Sequence, residues 1–447
     1  MTVKVIGAGL AGCEAAMQLA ERGFSVEIYE MKPKKFSPAH KYNGFAELVC
    51  SNSLKAARVE SACGLLKEEM RRLGSVILKA AEKTAVPAGG ALAVNRTEFS
   101  DEVTRLVREN PNITVISEEV TELPTENAVI CTGPLTSDAL AEKIRAVCGE
   151  GLSFYDAAAP IVTAESIDFT KAFFQTRYDK GDADYINCPM NKEEYERFYE
   201  ALVHAESAPL KEFDRPEESS GMKVYEGCMP VEVLAKRGIE SVRYGCMKPV
   251  GLTDPRTGKR PYAAVQLRKE NREGTLYNIV GFQTNLKFGE QKRVFSMIPG
   301  LENAEFARYG VMHRNTFIDS PRLLNEHFML KGSENVFFGG QITGVEGYVE
   351  SAASGIVAGR ALADRLSGRK ELSFPRTTML GALTAYISDP SVADFQPMSS
   401  NMGILPPLDK AIRLKQEKYA AYAERALRDF DTVIGTSDSG AVPLDER

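Results

Sequence analysis

The chain opens on a run of apolar, β-branched positions, TVKVI, that reads as a strand. The run breaks at GAGLAG, Gly7 to Gly12, and resumes as CEAAMQLAERG. There apolar residues recur at helical spacing until Gly23 stops them. A second strand, FSVEIYE, ends on Glu30, 18 residues after Gly12. Strand, glycine turn, helix, strand, acid is the order of a nucleotide-binding β-α-β unit. Gly7 allows the tight turn, Gly9 lets backbone approach a pyrophosphate, and Gly12 lets the helix pack on the strand. The helix N-terminus faces the negative charge. The expected cofactor-binding set is Gly7, Ala8, Gly9, Leu10, Ala11 and Gly12, with Glu30 accepting hydrogen bonds from a ribose.

Two later segments carry related patterns. NAVICTGPL (127–135) is an apolar strand running into a turn at Gly133. NVFFGGQITGVEGYVESAASGIVAGRAL (335–362) is a strand, a glycine-rich turn at Gly340 and Gln341, and a long helix of small residues. On pattern alone these are either plain strand-to-helix connections of one sheet or turns that bring backbone amides to a flavin. Three separated segments converging on one large cofactor point to FAD. With no second GxGxxG in the chain, NAD(P)H is expected only as a transient visitor.

Residues 1–160 and 295–447 read as one discontinuous FAD-binding domain, and 161–294 as an α+β insertion. The insertion carries the YERFYEALVHAE helix, an acidic loop around PEESS and a turn at TDPRTGKRP. LDKAIRLKQEKYAAYAERALRDF (408–430) reads as a charged amphipathic helix.

Composition changes this picture in two places. Net charge is −6, which gives no sign of a nucleic-acid partner, but residues 241–295 hold eleven Lys or Arg against four Asp or Glu. Tyr244, Tyr262, Tyr277 and Phe282 are interleaved with them. That stretch is either a solvated charged face or a polyanion footprint. No apolar run reaches the ~20 residues of a membrane-spanning helix, and MTVKVIGAGLAG lacks the marks of a signal peptide, so a cytoplasmic protein is expected.

The eight cysteines form no CxxC pair and no zinc-ligand spacing. No metal site is expected. Each cysteine is then core filler or reactive thiol. Cys228, in VYEGCMPVEV, stands just before a short helix expected from Pro230 to Gly238, whose N-terminus would favour a thiolate. Cys50, in AELVCSNSLK, stands before serines that could cap a helix running through LKAARVESACGLLKEEM. Spacing treats the two alike.

Taken together, GAGLAGCEAA, LVCSNSLK, EGCMPVE, YGVMHRNTF and GGQITGVEGYVESAASG resemble the folate- and FAD-dependent tRNA (uracil-5-)-methyltransferase family, TrmFO, over essentially the whole chain. The distant relatives of that family are GidA-type flavoproteins. The resemblance implies an α/β fold with a Rossmann-type FAD-binding domain, GidA- or glutathione-reductase-like, interrupted by the insertion. It implies transfer of a one-carbon unit from 5,10-methylenetetrahydrofolate to C5 of the T-loop uridine at tRNA position 54, with reduced FAD and NAD(P)H. By motif, Cys228 is the implied nucleophile and Cys50 its partner in removing the C5 proton. His313 is the residue we expect to stack on folate.

The chemistry agrees with the residues: thiolate addition at C6 makes C5 of uracil nucleophilic. Three rival readings stay open at this point. One is a GidA-like enzyme of the wobble uridine, and another a general flavin oxidoreductase with no salt-dependent tRNA affinity. The third is a tRNA-binding protein whose flavin is structural.

Overall fold

The computed structural model describes residues 1–149, 152–157, 159–179, 183–208, 229–271, 273–310, 312–392 and 395–438. Its centre is a five-stranded parallel sheet, in the order Glu334–Phe338, Glu126–Ile130, Thr2–Ile6, Ser25–Tyr29, Ile113–Ile116. Val3, Val5, Ile28, Val129 and Phe337 are fully buried in it, as the near-continuous apolar runs require of strands covered on both faces. The opening strand is in the middle, so its glycine turn emerges at the centre of the sheet's carboxyl edge.

Two helices meet over that turn, Leu10–Ala20 and Tyr348–Leu366. A Cβ on Gly355 would lie 2.1 Å from the Ala11 carbonyl oxygen, and one on Gly359 would lie 2.7 Å from that of Ala15. The small-residue run SAASGIVAG is therefore the surface that lets two backbones touch.

A second unit is a six-stranded antiparallel sheet, in the order Phe173–Phe174, Tyr185–Met190, Ala263–Lys269, Leu276–Ile279, Ile161–Thr163, Phe306–Arg308. It has its own core, in which Tyr195 and Phe198 of the helix Lys192–Val203 pack with Phe282 and Phe295. That helix starts in a capping box between Asn191 and Glu194. The chain passes between the two sheets on an antiparallel pair, leaving along Leu152–Ala157 and returning along Met312–Phe317.

Two expected helices differ in the structure. The segment after Cys50 forms a strand, Ser53–Ala56, paired with Ala91–Val94, and the helix begins only at Ala62, capped by Ser61. The cause is Asn52, fully buried, whose side-chain amide donates to the carbonyls of Val94 at 3.0 Å and Lys269 at 2.9 Å. Those bonds hold the segment extended against its neighbour. The last helix starts at Lys415 rather than near Leu408.

Candidate functional site

A cavity of ≈ 1610 Å³ opens at the carboxyl edge of the parallel sheet and runs to the antiparallel unit. It is large enough for a dinucleotide and a second planar ligand together. Gly7, Ala8, Gly9, Leu10 and Ala11 line it, with Glu30, Cys50, Gly133, Gly340 and Gln341. Gly12 sits behind the turn, where a Cβ would be 1.8 Å from the Gly7 carbonyl oxygen. It serves packing, as its place in the motif predicts.

The glycine turn fits a bound dinucleotide. Gly7 has φ +98°, and a Cβ there would be 2.6 Å from the Cys131 carbonyl oxygen. Nothing lies within 4 Å of where a Cβ on Gly9 would project, so the backbone there is open to a ligand. Glu30 is buried, and its two oxygens accept the Ala8 and Lys32 backbone N–H groups, both at 3.0 Å. Each oxygen keeps a lone pair for a ribose hydroxyl. Across the cavity Gly340 has φ +83° and donates its N–H to the Ser354 hydroxyl at 2.6 Å. Gln341 donates to Glu346 at 2.6 Å, so a second carboxylate faces the same space.

Cys50 is half-buried on the cavity wall. No helix terminus positions it. The loop around it is tied from four directions. Arg96 donates to the Leu48 carbonyl at 2.6 Å. Arg268, from the antiparallel sheet, donates to the Ser51 hydroxyl at 2.8 Å and to Asn52 at 3.1 Å. Asn52 ties the loop to Val94 and Lys269, as above. The fourth tie is Tyr348, the first residue of the long helix. Its hydroxyl oxygen accepts the Cys50 N–H at 2.8 Å and the Ser51 N–H at 3.2 Å, and lies 2.9 Å from the Cys50 sulfur. With its lone pairs engaged by two backbone donors, the phenol directs its proton at the sulfur. Burial pushes the Tyr348 hydroxyl well above its usual range, so it keeps that proton. A donor aimed at sulfur favours the thiolate.

The other described cysteines are of a different kind. Burial pushes the thiols of Cys13 and Cys131 far up, those of Cys63 and Cys148 to about 11 and those of Cys188 and Cys246 to about 12. They are packing residues. Cys228 lies outside the described residues. The helix expected after it is present, Val231–Ala235, and Gln283 and Asn285 beside that helix line the cavity. The backbone N–H of Val231 donates to the Gln283 carbonyl at 2.7 Å. His313 belongs to the strand Met312–Phe317, whose Met312, Asn315 and Thr316 line the cavity; its side chain is outside the described set.

Sequence reasoning missed Tyr348 and Arg268 as residues of this site. Tyr348 stands in a segment read for its glycines, and 298 residues separate it from Cys50. Its one local signal is an aromatic residue opening a helix whose following turns are rich in small residues. Among the described residues no helix is long and apolar enough to cross a membrane, and no group of three or more His, Cys, Asp or Glu could hold a metal ion.

Known proteins match this arrangement at two levels. The fold resembles that of GidA from Aquifex aeolicus with a TM-score of 0.68, at 17% identity, over 98% of this chain and 76% of that one. A family model described as glucose inhibited division protein A matches residues 2–370. Closer in sequence is a protein of Acetivibrio thermocellus named methylenetetrahydrofolate--tRNA-(uracil-5-)-methyltransferase TrmFO. It is 60% identical over 428 residues, 95% of this chain and 97% of its own length. A protein of the same name from Halalkalibacterium halodurans is 57% identical over 433 residues, 97% of this chain and 98% of that one. With matches of that identity over nearly its whole length, the chain belongs to the TrmFO family of methylenetetrahydrofolate--tRNA-(uracil-5-)-methyltransferases, within the wider glucose inhibited division protein A family.

Proposed function

We propose that this protein is a cytoplasmic flavoenzyme that methylates C5 of the T-loop uridine, position 54, in tRNA. The one-carbon unit comes from 5,10-methylenetetrahydrofolate, and FAD is the resident cofactor, reduced by NAD(P)H. The observation that carries this reading is the single cavity that joins the glycine turn and Glu30 to Cys50 and its Tyr348 donor. A dinucleotide site alone would suit many oxidoreductases. A thiol held beside it by a phenolic donor suits chemistry on an electrophilic ring.

FAD, when bound, supplies the methylene carrier and the reducing hydride. The chain's own residues do the rest. Gly7 to Ala11 and Glu30 would hold the pyrophosphate and ribose of FAD, and Gly133, Gly340 and Gln341, which line the same cavity, would receive the rest of the cofactor. Cys228 adds to C6 of the uracil, which has been extruded from the tRNA fold. Cys50 then takes the proton from C5, its thiolate prepared by Tyr348. His313 stacks on the folate.

The two hydrophobic cores support a discontinuous FAD-binding domain around an insertion, expected as 1–160 and 295–447 around 161–294, but they carry the second boundary further along the chain: Phe295, Ile298, Leu301 and Ala304 pack in the insertion's core, and its sheet takes in Phe306–Arg308. The insertion presents basic and aromatic groups suited to tRNA. Arg243, for example, lies 3.9 Å over the ring of Tyr262, beside the exposed Tyr244.

The test is mass spectrometry of nucleosides from unmodified tRNA incubated with the protein, methylenetetrahydrofolate and NADH. Folate-dependent 5-methyluridine in the T-loop is the expected product. A change at the wobble uridine, or no changed base, would sink the reading.

A further inference from the structure

Arg308 ends the edge strand Phe306–Arg308 of the antiparallel sheet. Pairing with the neighbouring strand slips there: Phe306 faces Val162, while Arg308, two residues on, faces the adjacent Ile161. Ala307 is the extra residue, and a bulge of this kind re-aims the side chain next to it. Arg308 lines the cavity. Its Nε and Nη2 are buried and, among the described residues, have no hydrogen-bond partner. The nearby Glu270 is ion-paired with Arg96, and among the described residues no salt bridge joins it to Arg308. Burial and then the Arg96 guanidinium lower Arg308 to about 10, while Glu270, Tyr348 and Cys50 pull it back up, so it stays charged at neutral pH. Cys50 and Tyr348 are thus within its electrostatic reach. A stacked run of rings, Phe288 on Tyr309 at 4.8 Å and Tyr309 on Phe306 at 5.0 Å, forms the adjoining wall.

A buried guanidinium with two idle N–H groups is costly. It is accounted for when a ligand atom completes it. Resting on the reading of Cys50 as the group that takes the C5 proton, we propose that Arg308 is a catalytic residue that receives O4 of the target uracil, donating Nε–H and Nη2–H to it as it becomes an enolate. The electron count requires such a group. The Cys228 thiolate gives a pair to C6 and forms the S–C6 bond. The C5–C6 π pair moves between C4 and C5, and the carbonyl π pair ends on O4. One negative charge passes from sulfur to O4. O4 and the C5 hydrogen sit on adjacent carbons, so the residue that holds one stands beside the residue that takes the other. Arg308 and Cys50 share a cavity wall in this way. Two fixed donors face the two lone pairs of one oxygen, which is how a developing oxyanion is stabilised. The aromatic wall gives the extruded base a face to lie on.

The experiment uses tRNA carrying uridine deuterated at C5. Loss of deuterium to water without folate reports enolate formation, and 5-methyluridine formation with folate and NADH reports the full reaction. Arg308→Gln is expected to lower kcat for both by about 10²- to 10³-fold, with KM for tRNA and for folate nearly unchanged and flavin still bound. Arg308→Lys is expected to recover part of the loss as a single donor. Wild-type kcat in Arg308→Gln overturns the proposal. So does a raised KM for folate at unchanged kcat, which marks a carboxylate site, or a raised KM for tRNA with a shallower salt dependence, which marks a phosphate site. Wild-type protein that neither exchanges deuterium nor forms methyl overturns the functional reading, and this proposal with it.

Discussion

A phenol that accepts two backbone N–H groups has one proton left to direct, and in Tyr348 that proton meets the sulfur of Cys50. Tyr348→Phe removes both services. The Cys50 and Ser51 N–H groups lose their acceptor, at a cost of about 1–3 kcal/mol if water does not replace it. The sulfur loses its donor, so its thiolate becomes harder to form. Iodoacetamide labelling of Cys50, followed peptide by peptide against pH, is expected to shift to higher pH and to slow about tenfold at pH 7, the equivalent of about 1.4 kcal/mol. An unchanged profile would mean that the phenol only ties the loop. Cys50 itself was legible in the sequence as one of two candidate thiols. The manner of its activation was not. The expected helix terminus is absent, and the actual donor comes from the far end of the chain.

At the scale of elements, two glycine substitutions separate binding from packing. Gly9→Ala puts a methyl group into open cavity space. The protein is expected to fold with a near-normal thermal midpoint and to retain less flavin, read as the ratio of flavin to protein absorbance after purification. Gly355→Ala drives a methyl group toward the Ala11 carbonyl oxygen and forces the two helices apart. It is expected to cost about 1–3 kcal/mol or more, seen as a lower denaturant midpoint. Equal stability in the two variants would refute the contrast. The strand, turn, helix and acid of the first unit were readable because their period and glycine spacing are local. The strand Ser53–Ala56 was not, because it is fixed by Asn52 reaching Val94 and Lys269, and a sequence window contains neither partner. Arg308 was legible as a charge only; its direction is set by a one-residue slip in sheet register.

Across the whole molecule, two fully buried glutamates sit at helix N-termini. Glu14 accepts from Val76 and Ile77, and Glu69 accepts from Met379 and Leu380. Burial raises Glu14 to about 7 and Glu69 to about 8, against the opposing pull of those N–H donors. A carboxyl that titrates higher folded than unfolded gives stability that is full below the unfolded value of about 4.5 and is lost as pH rises through the folded value. The thermal midpoint is therefore expected to fall between about pH 4.5 and pH 8 and to level off above that, and Glu69→Gln is expected to flatten that fall. A midpoint that rises over this range would contradict the assignment.

The loop of Cys50 also has a mechanical meaning. Arg268 and the Lys269 carbonyl grip Ser51 and Asn52 from the antiparallel unit, while Tyr348 and Arg96 grip Cys50 and Leu48 from the parallel-sheet unit. The loop is a rivet through both plates. Swinging one plate against the other shears it, so the thiol stays in register with its donor only while the plates are aligned. A substrate that holds both plates at once also holds the Cys50 sulfur still.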